Sequence, residues 1–243
     1  MFGPLACLLL TTADWSGCGC QPAPHFGQIW QPAFTLDTVQ RAPALAYEPN
    51  VGDLLICNCR QSLWKLAYRF ALTGPPTHVA LVVRTPDGKL AQLEAGIGFQ
   101  LFVEVTPLEQ RLADYDGTIY VRRRKVPLTE AESTRLSDFA AAVQKKTLPP
   151  ARYLIQVTPL RARGPLRTDF ASGPRGIRRG YMCSELVVET LVAADLLDAD
   201  TARPTATYPC DFFFDHSTNP YLNRHLIPAL NEGWHPPALW TKQ

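Results

Sequence analysis

A chain of 243 residues, 46% hydrophobic and 19% charged, has ordinary globular proportions and room for one large domain or two small ones. Its formal net charge of +2 gives no argument for a nucleic-acid partner, and the basic residues gather mainly at Arg122–Lys125 and Arg161–Arg179. No internal repeat is present, and no apolar run is long enough to form a bilayer-spanning helix.

The chain opens with "PLACLLLTTA" (4–13), an apolar run of signal-peptide length, followed by "DWSGCGC". Residues 1–20 therefore read as a signal or lipoprotein segment. Ser16, Gly17 and Cys18 resemble a processing site whose Cys18 would carry the lipid and attach the protein to a membrane. Against this, no Lys or Arg precedes the run, and Trp15 stands where a smaller aliphatic residue is usual. The alternative is a frayed strand or tail. Export to a periplasm or a membrane anchor follows from the first reading, and a cytoplasmic location from the second.

Residues 21–48 hold four prolines and little periodicity, and read as a linker or an arm wrapping the domain. A domain is expected over 49–217 and a Pro- and aromatic-rich tail over 218–243. Within the domain, "VGDLLICN" (51–58) is a short buried strand, with Asp53 expected to cap the turn at its entrance. "RQSLWKLAYRFAL" (60–72) has helical spacing and is stopped by "GPP". "THVALVVR" and "KLAQLEA" are strands joined by "TPDG", and "LFVEV" (101–105) and "GTIYVRRRK" (117–125) are two more. Thr129 and Glu132 form a capping box for a helix over 130–146. Its apolar stripe is Leu136, Phe139, Ala140 and Val143, and Lys145 and Lys146 sit in its last turn. Residues 147–180, rich in Pro, Gly and Arg, read as a long loop before the apolar helix that begins at Cys183. Strands with helices segregated at the ends predict an α+β fold.

The seven cysteines do not resemble a disulfide framework. CxC pairs at Cys18/Cys20 and Cys57/Cys59, with no histidine pair at ligand spacing, argue against zinc, and no metal or cofactor is expected. Cys183 is different because it opens a helix. The helix dipole places partial positive charge there and favours the reactive thiolate, although a buried, inert cysteine is the alternative. A thiol nucleophile needs a base and a group to orient it. Of the five histidines only His78 lies on a clear strand, where it opens "HVALVV". Glu94 is a charge inside the apolar strand "LAQLEA". A three-residue turn at Pro86-Asp87-Gly88, with Gly88 left-handed, pairs Thr85 with Lys89 and hence Ala80 with Glu94. Glu94 then shares a face with His78. A two-residue turn would put it on the opposite face.

In order, "VGDLLI", "THVALVV", "QLEA", "VTPLEQRL", "YMCSELV" and "YPCDFF" resemble the permuted NlpC-type hydrolases, the YiiX/YebB-like members of the papain-like cysteine hydrolase superfamily, over roughly residues 49–215. The order histidine, glutamate, cysteine marks the permuted branch. The resemblance implies a circularly permuted papain-like fold, with an antiparallel sheet packed against the nucleophile-bearing helix. It makes Cys183 the nucleophile, His78 the general base and Glu94 the orienting group. The implied chemistry is amide hydrolysis through an acyl-thioester, with the Cys183 N–H as oxyanion donor. The Tyr181 hydroxyl is a second candidate donor, with packing as its alternative. Arg178 and Arg179 belong to an arginine-rich flank (Arg161, Arg163, Arg167 and Arg175 are the others) that could collect an anionic substrate or simply be solvated. Cell-wall peptides are the expected substrate if the chain is exported. Lipid acyl hydrolysis or transfer on the same fold, and a binding module without turnover, are the alternatives.

Overall fold

The computed structural model describes residues 26–60 except 42, 73–96, 101–149 and 167–242, together with positions 66, 69, 151, 152 and 155. Eight strands form one sheet whose neighbouring strands all run antiparallel: β1 (Gln28–Pro32), β2 (Leu45–Ala46), β3 (Leu54–Cys59), β4 (His78–Arg84), β5 (Leu90–Ala95), β6 (Val103–Pro107), β7 (Gly117–Arg122) and β8 (Ala238–Thr241). Their order across the sheet is β2-β1-β8-β7-β3-β4-β5-β6. The longer α-helices among the described residues are α1 (Leu108–Asp114), α2 (Glu130–Val143), α3 (Cys183–Ala193), α4 (Pro220–Arg224) and α5 (Leu226–Gly233). The fold is α+β.

Strand alternation divides the core in two. Leu54, Ile56, Val79, Leu81 and Leu93 point to the side that packs α2 and α3. Leu55, Cys57, Ala80, Val82, Ile119 and Val121 point to the other side, against Leu108 and Leu112 of α1. Because β3 and β4 are apolar on both faces, they must lie between two layers, and they occupy the middle of the sheet. Leu186, Val187 and Leu191 fix α3 to the sheet, and each fully buried side chain of this kind contributes about 1.5–3 kcal/mol.

Helix α2 has the expected capping box: Thr129 Oγ1 accepts from Glu132 N, and Glu132 Oε2 accepts from Thr129 N. Its buried stripe is Leu136, Phe139, Ala140 and Val143. It ends earlier than expected, at Val143. Lys145 lies beyond the cap with φ of 65°, so neither lysine stands in the last turn. Asp53 closes the turn into β3, accepting from Asn50 N at 3.0 Å, Arg124 N at 2.8 Å and the Tyr47 hydroxyl at 3.1 Å.

The segments on either side of the expected domain both join the sheet. Part of the proline-rich arm forms β1 and β2. The tail over 218–243 supplies α4, α5 and β8, and β8 lies inside the sheet between β1 and β7. Trp234 anchors this segment. It is 1% exposed, donates to Gly52 O at 2.8 Å, and carries the Arg124 guanidinium 4.3 Å from its ring centre. The expected signal segment over 1–20, with Cys18, lies outside the described residues. So does most of the expected helix over 60–72, although Leu66 and Arg69 are helical.

Candidate active site

The hairpin register decides where Glu94 points. Thr85 N donates to Lys89 O at 2.9 Å, Gly88 is left-handed at φ 82°, and Leu81 pairs with Leu93. Continuing that register sets Ala80 opposite Glu94, as the turn chemistry requires. Glu94 and His78 therefore share the α1 face, and His78 Nε2 lies 3.1 Å from Glu94 Oε2.

The His78 ring also hydrogen-bonds Cys183. Nε2 is engaged by Glu94, so Nδ1 is the nitrogen left for the sulfur. Cys183 is the first residue of α3, which packs on the opposite face of the sheet. The two meet because His78 is the first residue of β4. At a strand end the imidazole can reach past the sheet, joining a carboxylate on one face to a helix N terminus on the other. All three groups are buried: Cys183 is 2% exposed, His78 4% and Glu94 1%.

Burial alone would lower the His78 pKa. The hydrogen bonds and charges of Cys183 and Glu94 outweigh it and hold His78 at about 9. Burial likewise opposes the Glu94 carboxylate, but His78 and the Arg111 guanidinium keep it below the ordinary carboxylate range. Arg111, on α1, places Nε 2.9 Å from Oε1 and donates from Nη2 to Oε2 at 3.3 Å. Gln92 Nε2 donates to Oε2 at 2.9 Å. The sequence reading missed both residues. The signal was present for Arg111: it stands at i+3 between Leu108 and Leu112 at i and i+4, so it faces inward with them.

The thiol of Cys57, opposite His78 across β3 and β4, is pushed well above its ordinary range by burial and by Glu94. It is an inert neighbour. Among the described residues, no disulfide joins Cys57, Cys59, Cys183 or Cys210, and no group of three or more His, Cys, Asp or Glu is placed to hold a metal ion.

The expected substrate-binding group divides. Tyr181 is fully buried, its hydroxyl donating to Gly176 O at 2.9 Å and accepting from Arg178 N at 2.7 Å. It ties the incoming loop to the core. Arg178 is paired with Glu189 of α3, which also accepts from Arg175 N at 2.9 Å and Gly176 N at 3.0 Å. Its charge is therefore spent inside the protein. Arg179 stays exposed. Arg161 and Arg163 lie outside the described residues. A second buried carboxylate, Glu185 in the first turn of α3, accepts from Met182 N at 3.1 Å and pairs with Arg152. Two glutamates four apart on an otherwise apolar helix, opposite an arginine-rich loop, were the sequence signal for these pairs.

No protein-family model matches the chain, and no curated protein matches it. Among solved structures it is similar to the crystal structure of the metalloprotein yiiX from Escherichia coli O157:H7, at 17% sequence identity and a TM-score of 0.44, over 81% of this chain and 99% of that one.

Proposed function

We propose that this protein is a thiol-dependent hydrolase with a circularly permuted papain-like fold of the YiiX/YebB-like type, cleaving an amide bond in a peptide. Cys183 is the nucleophile, His78 the base and Glu94 the group that orients the imidazole. The observation that carries the reading is the shared imidazole, bonded at one end to a buried carboxylate and at the other to a cysteine that opens a helix. The chain order His78, Glu94, Cys183 on strand, strand and helix accords with it.

The steps follow from the groups present. His78 takes the Cys183 proton, and the sulfur adds to the amide carbonyl carbon. The oxyanion forms at the α3 N terminus, where the Cys183 N–H is the donor and the helix dipole favours negative charge. The imidazolium gives its proton to the departing amine as the C–N bond breaks, leaving an acyl-thioester. Water then adds to the thioester, its proton passing to His78. The C–S bond breaks, the acid leaves, and the thiol is regenerated.

The test is the rate of Cys183 alkylation by iodoacetamide against pH, read by peptide mass spectrometry, with His78→Ala beside the parent. An unperturbed thiol titrates near pH 8.5. Labelling that is fast at about pH 6 and lost in His78→Ala supports the pair. Labelling that rises only above about pH 8 in both proteins refutes it.

A further inference from the structure

Helix α1 lies on the side of the sheet away from α3, yet its Arg111 reaches the same buried carboxylate that holds His78. The contact is double, to both oxygens of Glu94, and the arginine side chain is only 16% exposed. Gln92 adds a neutral hydrogen bond to the same carboxylate, so orientation is served without any charge from α1. What Arg111 alone supplies is a fixed positive charge.

We propose that Arg111 is a positioning residue that sets the charge balance of the Cys183–His78–Glu94 cluster, so that its thiolate–imidazolium state carries no net charge. This rests on the reading of Cys183 and His78 as a working pair. With Glu94 and Arg111 both ionised, the thiol–imidazolium state carries one net positive charge. Loss of its proton brings the cluster to zero. Without Arg111 the same proton loss takes a buried cluster from zero to one net negative charge. Low dielectric penalises net charge, so Arg111 draws thiolate formation to lower pH.

The other ionisable groups around the cluster leave the difference made by Arg111 unchanged. Cys57 on β3 and Tyr115 after α1 are both pushed up by burial and stay neutral. Glu104 on β6 stands opposite Glu94, and Glu185 of α3 is engaged by Arg152 and the Met182 amide. All four are the same in every variant compared below.

The experiment is the alkylation profile of Cys183 in the parent, Arg111→Met, Arg111→Lys and the double variant Arg111→Met/Glu94→Gln, with His78→Ala as the control on the pair. Arg111→Met is expected to move the acid limb up by about one pH unit, which is about ten-fold slower labelling below the parent midpoint, with the plateau rate retained. Arg111→Lys keeps the charge and restores most of the limb. The double variant removes one charge of each sign and returns the limb toward the parent, and it carries the test if Arg111→Met does not fold. Given a parent limb that depends on His78, an Arg111→Met limb that coincides with it overturns the proposal, and so does a double-variant limb displaced upward by about one pH unit. A parent with no His78-dependent limb overturns the Cys–His reading itself, and the proposal with it.

Discussion

Replacing Glu94 by glutamine keeps the shape of the side chain and removes its charge, so it isolates what the carboxylate does for His78. His78 is held at about 9 against an ordinary value of 6.5 although burial opposes its charge. That difference is on the order of 3 kcal/mol in favour of the imidazolium, and Cys183 and Glu94 share it. Glu94→Gln is therefore expected to lower the His78 midpoint by about one pH unit or more. The assay is an NMR titration of the His78 Cε1–H signal, assigned by its absence in His78→Ala. The sign in stability is fixed by the same shift. A histidine whose folded value is raised stabilises the fold fully below its unfolded value and loses that contribution as pH rises through about 9. Urea unfolding should thus show a deficit in Glu94→Gln that is larger at pH 6 than at pH 10. It adds to a pH-independent loss from leaving the Arg111 charge without its partner. A midpoint that stays near 9 in the variant would refute the account of how His78 is held.

Glu189→Gln should loosen the segment that leads into Cys183, because it weakens three contacts to Arg175, Gly176 and Arg178. Faster amide exchange at 175–178 and a loss of about 2 kcal/mol by urea unfolding are expected, and unchanged exchange would show that the loop is held by other means. Trp234→Ala should cost about 3–5 kcal/mol, since the indole is almost fully buried and donates to Gly52 O. A melting temperature within a degree of the parent would mean that the 218–243 segment is dispensable after all.

The parts legible in the sequence were those governed by local chemistry. The turn Thr85-Pro86-Asp87-Gly88-Lys89 favours the three-residue geometry, and that geometry carries Glu94, five residues beyond Lys89, to the face of His78. Thr129, Glu132 and four apolar residues at helical spacing were enough for α2. The terminal strands were not legible, because nothing local makes them strands. Of the five residues of β1 only Ile29 is buried, and both residues of β2 are exposed. Their conformation is imposed by partners far along the chain. The inward position of Arg111 was legible, but its partner was not, for a related reason. A seven-residue helix with one inward arginine gains meaning only once the sheet brings Glu94 beneath it.

The placement of β8 between β1 and β7 bears on the order in which the molecule can assemble. Strands β3 to β6 meet neighbours close in sequence and can pair as soon as each has emerged, and β7 then returns to the free edge of β3. Ile29, by contrast, pairs with Trp240. Closing a loop that long is entropically slow, and slow closures are the ones that set folding rates. The strands that carry His78 and Glu94 can therefore form a native nucleus early, while β1, with only the short β2 beside it, waits for β8. During that interval the exposed edge of β7 is the strand most open to pairing with another molecule.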